Sequence, residues 1–218
     1  MNLLAIETAT TICGVAYFEN GKCVSSVENN IPRAHAETLP LYFQQLARKI
    51  DLNLDELDGI AVSIGPGSFT GLRIGLSYAK GLAYSHSLPI VPVPTLHSLA
   101  VGSKSEKNVT ILLHSHSDIF FHQKFLWESP ELVSMQHPVA GSLEKLLESV
   151  DKSSKIFYFG GDKHLSLFKH HDVQSAIPSV KWIGALAETY FQEWKEDDPK
   201  RLVPEYISPF KTHTKAIR

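Results

Sequence analysis

Gly65-Pro66-Gly67-Ser68-Phe69-Thr70-Gly71-Leu72-Arg73-Ile74-Gly75 is the stretch around which the rest of the chain arranges itself. The run Asp58 to Ile64 leads into it and reads as a buried strand, while the residues after it keep a helical spacing to about Tyr84. A strand, a sharp glycine turn and a helix are the parts of an α/β sheet with helices packed on it. Gly65 and Gly67 permit backbone geometries closed to other residues. Successive N–H groups at a helix start can hold an anion. Yet the stretch fits neither nucleotide fingerprint: Thr70 stands where a third dinucleotide-site glycine would be, and no Gly-Lys-Ser/Thr follows. Ser68 and Thr70 serve equally well as helix caps, so a phosphate cradle and a capped turn both stay open.

Upstream, Leu3 to Ile6 is a short apolar run and Gly14 to Phe18 continues it after a polar turn. Asn20-Gly21 marks a tight hairpin, and Lys22 to Val27 is the returning strand. A helix is expected from about Ala36 to Ile50, where Leu39, Phe43, Leu46 and Ile50 share one face. Its Pro40 falls near the start, where proline is tolerated. Downstream, Pro89 to Pro94 is a strand and Thr95 to Ala100 begins a helix. Val101 to Asn108 reads as a linker. The second half repeats the theme more weakly: strands at Val109 to Leu113, Ile119 to Leu126 and Ile156 to Phe159, helices at Ser142 to Val150 and Trp182 to Trp194, and an extended tail from Pro204. The expected organisation is two lobes, 1–102 and a divergent 103–218.

The 218 residues are 43% hydrophobic and 20% charged, with a formal net charge of −2. That is ordinary globular composition, without the basic face of a protein that grips nucleic acid alone. The two cysteines, Cys13 and Cys23, fall on neighbouring strands and read as small apolar fillers rather than a disulfide scaffold. No apolar run approaches the ~20 residues of a membrane span, and the opening residues lack the basic region of a signal peptide. The cytoplasm is the expected compartment.

The second helix carries two stripes. Gly71, Gly75, Ala79 and Ala83 form a line of small residues; Ile74, Tyr78 and Leu82 run beside it, with Leu72 and Leu76 on the other side. Together they span an arc of about 200°, at 100° per residue. Glycines inside a helix cost about 1 kcal/mol each against alanine. Packing against the first helix of the same lobe and burial against another subunit both account for them.

Other motifs are weaker. Glu7-Thr8-Ala9-Thr10 ends the first strand, where a carboxylate beside hydroxyls positions a metal–phosphate group or simply closes a turn. Phe159-Gly160-Gly161-Asp162 offers a flat glycine ledge for a purine, or a tight turn capped by Asp162. Of the eleven histidines, no two stand at i, i+4 on a helical face. His114 and His116 alternate on a strand without an evident third ligand, and His170-His171 sits in a polar stretch. No metal site and no nucleophile signature is expected.

Leu4-Ala5-Ile6-Glu7-Thr8-Ala9-Thr10, Arg33-Ala34-His35-Ala36-Glu37 and the long glycine motif, followed by Ala79-Lys80-Gly81-Leu82-Ala83, resemble the bacterial TsaB (YeaZ-type) family over residues 1 to about 100. The resemblance implies an actin-like fold of the sugar kinase, Hsp70 and actin (ASKHA) type, each lobe a mixed β-sheet flanked by helices. It implies a non-catalytic subunit supporting a TsaD-type subunit, which transfers a threonylcarbamoyl group to adenosine 37 of tRNA. A TsaE-type ATPase joins the complex, tRNA is reached only through it, no cofactor is held beyond a nucleotide at a partner interface, and the chain alone forms a homodimer. The partner face implied is Leu39, Phe43 and Leu46 of the first helix with Gly71, Leu72, Gly75, Leu76, Ala79 and Ala83 of the second. Glu7, Thr8, Thr10, Gly65, Gly67, Ser68, Gly160 and Gly161 are the residues for a phosphate or nucleotide. Leu113-His114-Ser115-His116-Ser117-Asp118 departs from the family's Asp-Ala-Arg segment, and Pro204-Glu205-Tyr206-Ile207-Ser208 lacks its closing arginine.

Two other functions compete. An active phosphotransferase or ATPase of the same fold needs glycines in the first phosphate loop and an Asp-x-Gly in the other lobe; neither is present. A metalloprotease needs a zinc constellation that the spacing does not supply.

Overall fold

In the computed structural model the described residues are 1–103, 108–128, 131–150, 154–168 and 171–207. The chain opens with an antiparallel meander, β1 (Asn2–Glu7), β2 (Ile12–Glu19) and β3 (Lys22–Asn30). Asn20 and Gly21 both take positive φ in the expected hairpin. Helix α1 (His35–Ile50) leads to β4 (Gly59–Gly65), and α2 (Phe69–His86) leads to β5 (Ile90–Pro94). β4 lies parallel to β1, and β5 parallel to β4, so the sheet order is β3-β2-β1-β4-β5.

α3 (Thr95–Gly102) is buried from Thr95 to Ala100 and carries the chain into the second sheet. That sheet holds β6 (Val109–His116), β7 (Ile119–Glu128), β8 (Glu131–Ser134), β9 (Val139–Ser142), β10 (Lys155–Phe159) and β11 (Val173–Ser175). Its order is β11-β10-β6-β7-β8, with β9 also on β7. α4 (Leu143–Ser149) packs behind it. A 3-10 turn, Asp162–Phe168, follows β10 directly. The sheets repeat one plan, an antiparallel start followed by strands parallel to the first. The expected linker's residues 104–107, His170 and the tail from Ser208 lie outside the described residues.

Alternation along the strands sends Leu4 and Ile6 to one face of the first sheet and Leu3 and Ala5 to the other. The first face meets Leu39 and Leu46 of α1 and Leu76, Ala79 and Ala83 of α2. The second meets α5 (Val180–Thr189), through Val180, Ile183, Leu186 and Ala187. A helix from the second half thus covers the first sheet. It is also shorter than the expected Trp182 to Trp194. Ser179 starts it by accepting the N–H of Lys181. The backbone breaks at Tyr190 (φ −108, ψ 19) before the single turn α6 (Phe191–Trp194). Glu28 on β3 ties this helix down, accepting from Ser179 Oγ at 2.8 Å and from the Val180 N–H at 2.8 Å.

Cys13 is buried in the core as a filler, but Cys23 is exposed on the edge strand β3 and fills nothing. The difference follows from position, since an outer strand is covered less completely than the strand beside it.

Candidate functional site

A cavity of about 1320 Å³ lies between the sheets. The first half supplies Thr10, Thr11, Arg33, His35 and the turn from Gly67 to Gly71; the second supplies Leu113 to Ile119, Phe121 and Phe159; Glu205, Tyr206 and Ile207 close the rim. Of the residues singled out for phosphate or nucleotide, the structure brings Thr10, Gly67 and Ser68 to this cleft. Glu7, Thr8, Gly65, Gly160 and Gly161 are not on its wall.

The reason lies in how the glycine turn meets the β1–β2 turn. Ser68 N–H donates to the Ala9 carbonyl at 2.7 Å, and Thr8 Oγ1 donates to the Gly71 carbonyl at 2.9 Å. A methyl at Gly67 would strike the Ala9 carbonyl, one at Gly71 the Thr8 carbonyl, and one at Gly75 the Thr8 hydroxyl. These glycines let α2 sit against the protein's own backbone. Ser68 takes its capping role, its Oγ accepting from the Gly71 N–H at 3.2 Å, whereas Thr70 lies inside the helix. Thr10 Oγ1 likewise turns to the Ile12 N–H. Glu7 is 1% exposed and its Oε1 accepts the Ala9 N–H at 2.7 Å. Burial raises its carboxyl to about 7, against the hydrogen bonds that favour the charged form.

The glycine ledge at 160–161 is also occupied from within. A side chain at Gly160 would meet the Tyr158 hydroxyl and His114 Cβ, and Tyr158 OH donates to the Gly161 carbonyl at 3.1 Å. His114 and His116 are separated by a register shift in β6. The His114 ring packs against Phe120 and, with centroids 4.6 Å apart, against His164. Among the described residues no three His, Cys, Asp or Glu side chains come together in a metal-binding group.

The expected partner face needs correction. Leu39, Leu46, Leu72, Leu76, Ala79 and Ala83 are 0–4% exposed, and Gly71 and Gly75 are buried with them. They pack inward, on the sheet and on Thr8, so none offers its surface to another chain. Only Phe43 of that set keeps partial exposure, its ring edge-on to Tyr78 at 5.8 Å. What α1 and α2 do present outward is Leu41 (61% exposed), Tyr84 (79%), and the half-buried Phe43, Ile74, Tyr78 and Leu82. Gly81 adds a second sign: it is exposed, and a Cβ there would meet nothing within 4 Å. The helical spacing grouped these residues correctly; it could not say which group the sheet covers. Arg33, His114, Asp118 and Tyr206 were not among the expected site residues. They reach the cleft from loops and strand ends, where no periodicity reports on direction.

Two mixed sheets flanked by helices, with a cleft between them, are the architecture of the actin-like (ASKHA) fold. The YeaZ structure from Pseudomonas aeruginosa superposes with a TM-score of 0.81 over 94% of this chain and 99% of that one, at 24% identity. The ethanolamine utilization protein EutJ from Carboxydothermus hydrogenoformans gives 0.51 over 85% of this chain and 89% of that one, at 10% identity. In sequence, the tRNA threonylcarbamoyladenosine biosynthesis protein TsaB of Escherichia coli (strain K12) is 36% identical over 113 residues, 52% of this chain and 48% of that protein. The TsaB of Haemophilus influenzae is 29% identical over 127 residues, 56% of this chain and 53% of that protein. Residues 24–118 match the family described as TsaD, tRNA N6-adenosine threonylcarbamoyltransferase. The chain spans about half the length of the curated relatives it matches. Its first half is thus similar in sequence to TsaB proteins, and its fold is that of YeaZ. Among the described residues no helix is long and apolar enough to cross a membrane.

Proposed function

We propose that this chain is a non-catalytic partner subunit in the biosynthesis of threonylcarbamoyladenosine on tRNA. It docks through the outward face of α1 and α2 onto a transferase subunit of the TsaD type. The observation that carries this reading is the exposed apolar surface of those helices. Leu41 and Tyr84 stand out of it, and a Cβ at Gly81 would meet no atom of the described residues within 4 Å. Exposed apolar patches on a folded chain mark interaction sites. Both helices fall within residues 24–118, the segment that resembles the transferase family. A transferase subunit therefore carries a related helix pair, and two related faces of this kind suit one another across a pseudo-twofold axis. In isolation the same face pairs two copies of this chain.

The closed phosphate turn supports a supporting rather than catalytic role. Of the glycines that would cradle an anion, Gly67 is packed on Ala9 and Gly65 on Glu205, and the Ser68 N–H is already given to the Ala9 carbonyl. A TsaE-type ATPase and tRNA meet the assembly rather than this subunit alone, in the cytoplasm where tRNA is modified. Residues 1–102 would be the docking lobe and 103–218 the divergent one, with α5 as the element shared between them.

The test is a pair of substitutions read by calorimetric titration against the TsaD-type subunit. Tyr84→Asp on the outward face should weaken binding by at least about 2 kcal/mol, the scale of an interface hot spot. Ile177→Asp, at another well-exposed apolar position (68%) in the second half, should leave it unchanged. Equal affinities for wild type and Tyr84→Asp would sink the proposed docking face.

A further inference from the structure

The segment from Pro199 to Ile207 belongs to neither sheet and lies across α2. Lys80 Nζ donates to the carbonyl oxygens of Lys200 at 3.3 Å and Leu202 at 2.7 Å. Leu202 packs on the core that α1 and α2 share with the first sheet. Farther on, the Glu205 N–H donates to the Ile64 carbonyl at 2.8 Å. Gly65, at φ +130°, makes room there for the Glu205 carbonyl, which would lie 2.6 Å from a Cβ. Arg73 Nε then donates to Tyr206 OH at 3.0 Å. The Arg73 guanidinium rests 3.8 Å from the Phe69 centroid, and the Phe69 and Tyr206 rings are 4.9 Å apart. The next residue, Ile207, packs against the core of the second sheet. A few residues thus run from the helix of one half to the core of the other, with Glu205, Tyr206 and Ile207 forming part of the cleft wall.

We propose that residues 202–207 are a clasp: their attachment at Arg73 and Tyr206 sets the separation of the two cleft walls, and loosening it opens the cleft. The anchors suit reversible use. Tyr206 is 44% exposed and its bond to Arg73 lies at the surface, where water competes for both groups and a hydrogen bond adds little net stability. By contrast, the walls the clasp joins are backed by hydrogen-bonded sheets of five and six strands. Arg73 and Tyr84 are eleven residues apart, which at 100° per residue leaves about 20° between them on α2. Along the axis they stand about 16 Å apart, at 1.5 Å per residue, so a subunit whose footprint runs from Tyr84 toward the start of α2, within the width of a standard interface, reaches Arg73 and works the clasp. That last step rests on the docking reading above; the clasp itself does not.

The experiment is a pulsed electron spin distance measurement across the cleft in the full chain. Spin labels are carried by Ala36→Cys and Asp118→Cys, two exposed residues on opposite walls, with Cys23→Ser to remove the exposed native thiol. The parent chain should give one narrow distance. Tyr206→Ala should give a longer, broader distribution, and Arg73→Gln should do the same from the solvent side without touching the core. Tyr206→Phe, which keeps the ring contact and loses the hydrogen bond, should fall between. An unchanged distribution in Arg73→Gln and Tyr206→Phe overturns the clasp, even where Tyr206→Ala fails to fold. Adding the TsaD-type subunit separates the two ideas. A distance that responds to the variants but not to the bound subunit leaves the clasp standing and removes its link to docking.

Discussion

Glu7 is a carboxyl sealed at the end of β1, and its burial has a consequence that can be measured in solution. Its folded pKa of about 7 lies above the ordinary 4.5. A raised acid binds its proton more tightly in the folded state, so its stabilisation is complete below about pH 4.5 and is lost as pH rises through 7. Glu7→Gln should flatten that slope and gain about 3 kcal/mol at pH 8 relative to pH 4.5, at 1.4 kcal/mol per pKa unit. Urea unfolding at the two pH values checks it; parallel profiles for wild type and variant would mean that Glu7 stays charged in the fold. The glycines give a second contrast at this scale. A methyl at Gly71 meets the fixed Thr8 carbonyl, whereas one at Gly81 meets open space. Gly71→Ala should destabilise the lone chain by about 2 kcal/mol, as overpacking does. Gly81→Ala should stabilise it by up to about 1 kcal/mol through helix propensity. Thermal melts of both variants settle whether the inward stripe or the outward one is the tight side.

At the scale of elements, α2 shows what periodicity can and cannot deliver. A spacing of 3.6 correctly joined Gly71, Gly75, Ala79 and Ala83 in one stripe, but a stripe does not name its neighbour. The strand end and the Thr8 turn cover it, so the apolar arc that looked too wide for one contact is filled largely from within. Only the flank with Tyr84 and Gly81 is left for a partner. α5 was harder to place. Leu3-Leu4-Ala5-Ile6 is apolar on both faces, which calls for cover on both, yet α1 and α2 serve only one. The helix that covers the other lies beyond the second sheet in sequence, and no local pattern connects it to β1. Its anchor, Glu28, reads as an ordinary strand residue until the fold brings Ser179 to it. Glu28→Ala should lower stability by about 1–2 kcal/mol, the range for losing a helix cap and a charged hydrogen bond. A melting temperature equal to wild type would show that α5 holds its place by packing alone.

At the scale of the molecule, the order of strands and helices along the first hundred residues was enough to give the mixed sheet, because an antiparallel meander followed by strand–helix alternation places the later strands parallel to the first. Of the second sheet, β6, β7 and β10 followed from the same alternation; β8, β9 and β11 did not, because strands of three or four residues are too short to show a period. The cleft was not legible in advance. It is assembled from Arg33, Asp118, Tyr206 and others that share no spacing, and its form depends on how two sheets meet. The family resemblance pointed to α1 and α2, but mostly to residues of theirs that the fold buries. The central claim, that this chain is the partner of a transferase subunit, is tested most directly by mixing it with the cognate TsaD-type subunit. The readout is size-exclusion chromatography with light scattering, at roughly 20 µM of each, well above the Kd of a complex worth about −8 kcal/mol. The account predicts a single one-to-one species whose amount falls with Tyr84→Asp. Two separate peaks from well-folded chains would contradict it.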